Sequence, residues 1–246
     1  MLEVINVCKT YKKPGLFSTE RQSILKNVSF SMEENTCMGI IGESGSGKST
    51  LGRLILGIEK PDSGKILLEG KDVKKAKVRQ GVMSAVFQDY SASINPNRTV
   101  YQAIKEPMDV LGKYNDENMV EGLLCQVGLD GSFLNRYQHE LSGGEAQRVC
   151  IARAISTNPR FLLLDEAISS LDVSVQVQVL DLLKELRKMH KMSYLFITHD
   201  IQAAAYICDR FLIFNSGMIV EQTSVDHISE VKEEYTKKLL NAVITV

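Results

Sequence analysis

The sequence lacks an excess of charge of either sign: 29 basic residues stand against 30 acidic ones, for a net charge of −1. Nothing in the composition therefore favours nucleic acid or an anionic membrane surface as a partner. It lacks a paired-cysteine motif as well. Cys8, Cys37, Cys125, Cys150 and Cys208 are scattered, with no C-x-x-C among them. That pattern argues against a disulfide framework or a zinc site and favours buried thiols in a reducing compartment. No uncharged apolar run approaches the roughly 18 residues that span a bilayer, so any membrane role is expected to come through partners. The opening residues, MLEVINV, do not have the charged-then-apolar layout of a signal peptide, and the chain is expected to be cytosolic. Internal repeats and low-complexity segments are missing too.

What is present is enough apolar material for a sizeable core: 44% of 246 residues. Short apolar runs alternate with helical patterns, which predicts an α/β core with a mainly parallel sheet. The expected strands are Leu2–Val7, Val28–Met32, Cys37–Ile41, Ile66–Glu69, Ala85–Phe87, Phe161–Leu164, Tyr194–Ile197 and Phe211–Phe214. The clearest helix follows Asp172. There Val175, Val179, Leu182, Leu186 and Met189 form one apolar stripe, read as core packing, while Lys184, Glu185, Arg187 and Lys188 are expected to face water. From about Asp89 to Asn158 strand signals stop and helical patterns take over, then strand returns after Pro159. A helical subdomain, about 89–158, inserted in one α/β domain explains this better than two sequential domains. Asp89–Asn97 reads as a loop leading into it, and Lys12–Ser23 as a surface loop.

The strongest local signal is Gly42-Glu43-Ser44-Gly45-Ser46-Gly47-Lys48-Ser49, a full G-x-x-x-x-G-K-[ST] match. It follows the apolar run Cys37–Ile41 and precedes the helical pattern Thr50–Gly57. The glycines allow a tight turn that brings backbone N–H groups close to phosphate oxygens, and the following helix adds a positive dipole end. Lys48 supplies a full charge to the β- and γ-phosphates, and Ser49 a hydroxyl for Mg²⁺. This loop is expected to bind a nucleotide.

Two downstream segments carry further chemistry. Leu141-Ser142-Gly143-Gly144-Glu145 puts a serine and two glycines at a helix start, a second phosphate cradle in a chain that already has one. Phe161–Leu164 is an apolar strand running into Asp165 and Glu166, which places two acids at the carboxyl edge of a sheet, where ligands of such sheets sit. These motifs resemble those of the ABC ATPases, in order and across almost the whole chain. Residues 141–145 are similar to the LSGGQ signature, with Glu145 for Gln, and Gln147-Arg148 and Ile151-Ala152-Arg153-Ala154 continue in the family's manner. Tyr11 resembles the aromatic that stacks on adenine. Gln88 resembles the glutamine that touches Mg²⁺ and water and senses the membrane partner. Ser170-Leu171-Asp172 resembles the loop that crosses the dimer interface, and His199 the histidine that hydrogen-bonds the γ-phosphate. The run Ala167-Ile168-Ser169-Ser170 departs from the commoner Pro-Thr-Ser-Ala.

The resemblance implies a P-loop NTPase fold with an antiparallel β portion and an inserted helical subdomain. It implies ATP held by Tyr11 and Gly42–Thr50, and Mg²⁺ held by Ser49, Gln88 and Asp165. Glu166 is implied as the general base, a role worth roughly 10²–10⁴ in rate, with His199, Gln88 and Lys48 assisting. Ser142, Gly143, Gly144, Glu145 and Asp172 would meet ATP and surface belonging to a second, homologous ATPase subunit. His139, His190 and His227 have no comparable setting and are read as structural or solvated.

One branch is closer than the rest. Gln88-Asp89-Tyr90-Ser91-Ala92-Ser93-Ile94-Asn95-Pro96, Tyr137-Gln138-His139-Glu140 and Glu234-Tyr235-Thr236-Lys237-Lys238-Leu239-Leu240 are similar to segments of peptide/nickel importer ATPases. The loop after Tyr11, with Gly15-Leu16-Phe17, is similar to that of the second (F-type) ATPase of such systems. This implies a bacterial importer: two different ATPases beneath two permeases at the cytoplasmic face of the membrane, with an extracytoplasmic protein capturing cargo. By analogy the cargo leans to nickel, cobalt or another metal chelate over oligopeptides. The alternative is a soluble ABC-type ATPase of DNA repair or translation.

Overall fold

The structure, a computed structural model, describes residues 1–12, 20–113 and 116–244. The chain divides into two compact units, Met1–Arg79 with Leu195–Val246, and Gln80–Tyr194.

The first unit begins with β1 (Leu2–Lys12) and β2 (Arg21–Met32), paired antiparallel. Leu2, Val4 and Val7 are buried. The alternation slips between Val4 and Val7, where Asn6 takes φ 50°; asparagine tolerates that left-handed conformation, which a β-bulge uses to re-aim the strand. Next come β3 (Cys37–Ile41), α1 (Lys48–Ile55), β4 (Ser63–Leu68), β5 (Lys71–Asp72) and α2 (Ala76–Arg79). The strands β2, β1, β4 and β5 form an antiparallel sheet in that order.

The second unit opens with β6 (Met83–Phe87) and, among its described residues, continues in helices: α3 (Tyr90–Ser93), α4 (Val100–Val110), α5 (Glu117–Gln126) and α6 (Gly143–Ile155). Each start is capped from the side chain, by Asp89, Thr99, Asp116 and Ser142 in turn, which satisfies otherwise orphaned N–H groups. The helices α4 and α5 rest on α6. Then β7 (Phe161–Asp165) pairs in parallel with β6, and α7 (Val173–His190) follows.

The boundary between the units falls within β8 (Ser193–Thr198). The first unit resumes with α8 (Ile201–Ile207), β9 (Arg210–Asn215), β10 (Met218–Ser224) and α9 (Glu234–Ile244). Here β10, β9, β3 and the Leu195–Thr198 part of β8 lie side by side, β3 and β9 in parallel. Every residue of β3, β7 and β8 is buried, as expected of parallel strands covered on both faces.

Each expected strand exists, but several run longer. Lys12, Arg21, Gln22 and Ser23 belong to β1 and β2 rather than to a loop, because Lys12 pairs with Arg21 and Tyr11 with Gln22. Residues 13–19, with Gly15-Leu16-Phe17, lie outside the described residues. The strands β5 and β10 were not expected. Both close hairpins through two-residue turns, Glu69-Gly70 at φ 51° and 73° and Ser216-Gly217 at φ 47° and 82°. Those positive values match the right-handed twist of the flanking strands. The expected loop Asp89–Asn97 contains α3, because the Asp89 carboxylate accepts from Ala92 N–H at 2.9 Å. The helix after the phosphate loop stops at Ile55. The stripe of α7 ends at Leu186: Met189 is 61% exposed and Val175 only half-buried, while Leu180 and Leu183 join the core. Lys184 and Arg187 are half-buried rather than fully in water, as long aliphatic stems allow. Of the cysteines, Cys37, Cys150 and Cys208 are buried, but Cys8 is half-buried and Cys125 exposed.

Candidate nucleotide-binding and hydrolysis site

In the first unit the phosphate loop leaves the buried edge of β3 at Gly42. A Cβ there would lie 2.1 Å from the carbonyl oxygen of Phe214, so no side chain fits. The tip, Glu43-Ser44-Gly45, is exposed, and nothing lies within 4 Å of where a Gly45 Cβ would point. Gly47 caps α1 at φ 108°, a conformation open to glycine. Lys48 is 4% exposed. Its ammonium donates to the carbonyls of Gly42 at 2.7 Å and Glu43 at 2.8 Å, so it is folded over its own loop. Ser46 Oγ is buried without a hydrogen-bond partner among the described residues. A buried hydroxyl left unpaired is costly, and a phosphate oxygen taken up by the loop would satisfy it. The loop therefore fits an oligophosphate.

Gly217 and Tyr235 of the same unit hydrogen-bond to this loop. The Gly217 N–H donates to the carbonyl of Ser46 at 3.0 Å, tying the β9–β10 turn to it. The hydroxyl of Tyr235 on α9 accepts from the N–H of Glu43 at 3.3 Å, and burial raises the Tyr235 phenol above its ordinary pKa. Tyr11, near the end of β1, is half-buried and donates its hydroxyl to the carboxylate of Glu59. His199 is exposed just after β8, and the next residue, Asp200, caps α8 by accepting from Ala203 N–H at 3.1 Å. Sequence reasoning gave no role to Tyr235, far from the loop in sequence, or to Glu59, just past the helix that follows it.

In the second unit Gln88 follows β6 and is exposed. Asp165 ends β7 and is buried, while Glu166 is half-buried with φ 49°. A non-glycine residue held there costs on the order of 1–3 kcal/mol and persists only where its surroundings over-determine it. The Glu166 carbonyl accepts from Ser169 N–H at 3.2 Å and from Ser169 Oγ at 2.9 Å. Ala167 and Ile168 are buried. The Gln176 amide donates to the carbonyls of Ile168 at 3.1 Å and Leu171 at 2.9 Å. The unusual Ala-Ile-Ser-Ser run is thus fastened by side chains. Asp172 is exposed at the start of α7.

At the head of α6, Ser142 and Glu145 cap each other. Ser142 N–H donates to the Glu145 carboxylate at 2.8 Å, and Glu145 N–H to Ser142 Oγ at 3.4 Å. Hydrogen bonds from Ser142 hold the Glu145 carboxyl below its usual range, so glutamate serves this reciprocal box as glutamine would. A Cβ at Gly144 would sit 2.9 Å from Val175; glycine lets the helix head approach α7. Of the remaining histidines, His190 bridges Gln126 at 2.8 Å and Asn158 at 3.1 Å, with burial lowering its pKa. His139 stacks on Tyr137, and His227 is an exposed partner of Glu230. Among the described residues no group of three His, Cys, Asp or Glu is placed to hold a metal ion, and no helix is long and apolar enough to cross a membrane.

A glycine loop between a buried parallel strand and a helix, closing on a lysine, defines a P-loop nucleotide hydrolase. Residues 25–169 match the family described as ABC transporter, and the chain belongs to that family as an ATP-binding, ATP-hydrolysing cassette of the importer kind. It is 48% identical over 98% of both chains to a metal-staphylopine import system ATP-binding protein, CntF, of Staphylococcus aureus. It is 40% identical to the oligopeptide transport ATP-binding protein AppF of Bacillus subtilis, over 99% of this chain and 78% of the relative. Among solved structures, the dimeric cassette MJ0796 in a post-hydrolysis state bound to ADP and Pi is similar with TM-score 0.80 and 28% identity, over 92% of this chain and 99% of that one. The soluble repair or translation alternative falls, since these curated relatives are transport subunits.

Proposed function

We propose that the chain energises uptake of a metal chelate, as one of two ATPase subunits beneath two membrane permeases, with an extracytoplasmic protein delivering the cargo. The observation that carries the cargo is the 48% end-to-end identity to a metal-staphylopine importer subunit, against 40% for the oligopeptide relative. A similar cassette, cbiO1 of Clostridium perfringens, is described as part of the transporter complex cbiONQ, which supports assembly with membrane partners and a peripheral place at the cytoplasmic face. Residues 89–158 are assigned as a helical subdomain within one cassette.

The roles follow from the donors each residue offers. Lys48 exchanges its two carbonyl partners for the β- and γ-phosphates, a stronger charge-assisted bond. Backbone N–H groups of Gly42–Thr50 and the Ser46 hydroxyl take the remaining phosphate oxygens, and Tyr11 offers its ring to adenine. Ser49, Gln88 and Asp165 are an oxygen donor set suited to a hard cation; Mg²⁺ held by them would neutralise phosphate charge. Glu166 takes the proton of the attacking water, and His199 hydrogen-bonds the γ-phosphate. Ser142, Gly143, Gly144, Glu145 and Asp172 face the partner ATPase and its nucleotide.

Uptake of labelled nickel or cobalt, supplied as the chelate, and of a labelled oligopeptide by cells carrying Glu166→Gln tests this. Loss of metal uptake alone is expected. Loss of peptide uptake alone would reassign the cargo, and loss of neither would remove the importer reading.

A further inference from the structure

Glu59 lies in the turn that follows α1, and its side chain contacts Tyr11 and Lys9 of β1 on one side and Arg53 of that helix on the other. One carboxylate oxygen accepts from the Tyr11 hydroxyl. The other accepts from Arg53 Nε at 2.7 Å. Lys9 stands 3.6 Å from the first oxygen and 5.3 Å from the Tyr11 ring centre, and also donates to the Lys60 carbonyl at 2.7 Å. The backbone is fastened as well, with the N–H groups of Ile58 and Glu59 donating to the Arg53 carbonyl at 3.0 and 3.3 Å. Arg53 then donates to Thr50 Oγ1 at 3.2 Å, next to the serine that closes the phosphate loop. All of these residues belong to one unit.

Partial burial alone would push the Glu59 carboxyl up, but hydrogen bonds from Tyr11 and Arg53 and the charges of Arg53 and Lys9 outweigh it and hold the group below its usual range. The carboxylate is thus a charged junction with three donors around it, and such charge-assisted bonds are short and directional. A tyrosine ring on a strand end otherwise turns about two bonds; a fixed hydroxyl leaves it one orientation.

We propose that Glu59 is a positioning residue for the nucleotide: it ties the Tyr11 ring to α1, so that the surface offered to the base is fixed relative to the loop that takes the triphosphate. This rests on the reading of Tyr11 as the base-stacking residue. The test is calorimetric titration of the purified full chain with Mg-ATP and, separately, with Mg-tripolyphosphate, which has no base. Tyr11→Ala is expected to weaken ATP binding by about tenfold or more, from the usual worth of base stacking. Tyr11→Phe and Glu59→Ala should each weaken it by about three- to tenfold, without a matching loss for tripolyphosphate. Glu59→Gln, which keeps an acceptor for the phenol, should recover most of the affinity. Adding Glu59→Ala to Tyr11→Phe should cost nothing further.

Equal losses for ATP and tripolyphosphate in Glu59→Ala would overturn the proposal, because Glu59 would then serve only the helix. Additive losses in the double variant would overturn it too. If Tyr11→Ala weakens ATP while Tyr11→Phe binds it as wild type, positioning fails and the stacking reading stands. If Tyr11→Ala itself binds ATP as wild type, both fall. Tyr11→Phe leaves the Arg53–Glu59 pair intact, so it decides the matter even if Glu59→Ala does not fold.

Discussion

The phosphate loop of one unit and the acid and signature loops of the other are held in opposite ways. Around Lys48 the ammonium sits on the loop's own carbonyls, while Ser46 Oγ has no partner among the described residues. Around Glu166 and Ser142 the backbone is fastened by side chains brought in for that purpose, Ser169, Gln176 and Glu145. The first arrangement is one that a phosphate is expected to replace; the second is expected to keep its bonds when ligand binds. Substitutions in the first region should therefore act on nucleotide, and bracing substitutions in the second on stability.

Glu166→Gln tests the exception, an acid within the braced region that is proposed to do chemistry. Turnover of the assembled transporter should fall by about 10²–10⁴-fold with ATP still bound, measured by phosphate release and filter binding. Lys48→Ala should weaken ATP binding by about 10- to 100-fold, the worth of charged hydrogen bonds, with the melting temperature of the unliganded chain moved little. A large stability loss there would break the comparison. Gln176→Leu strands two carbonyls and should destabilise the chain by about 1–3 kcal/mol in urea, with ATP affinity nearly unchanged. Glu145→Ala should cost about 1 kcal/mol through the lost cap.

The smallest effect is in pH. The Glu145 carboxyl is depressed from the ordinary 4.5. Its contribution is therefore complete above about that value and is lost as pH falls through the lower, folded-state pKa. Melting temperature should drop along that acid limb, and Glu145→Gln, which keeps the box without the titration, should flatten the slope.

How much of this was legible depended on whether the information was local. The strands β3, β7 and β8 are buried on both faces and read as continuous apolar runs, so they were found within a residue or two. The phosphate loop, the acids ending β7 and the serine heading α6 are contiguous motifs, and the structure sets each at the strand or helix end expected. By contrast β10 and the polar end of β2 exist because of their partners, and in Met218–Ser224 only the short start Met218-Ile219-Val220 hints at a strand before polar residues take over. α3 depends on one aspartate acting as a cap. The Tyr11–Glu59 bond joins residues 48 apart in sequence, a distance at which no periodicity or spacing rule speaks.

The left-handed backbone of Glu166 has an evolutionary consequence. Glycine at that position would relieve the strain and remove the acid in a single change, so the substitution expected to silence hydrolysis under the proposed role is also one that relaxes the fold. Selection for robustness alone would then drift towards an inert cassette. Under the proposed role, demand for transport is what would keep the glutamate where the backbone least welcomes it.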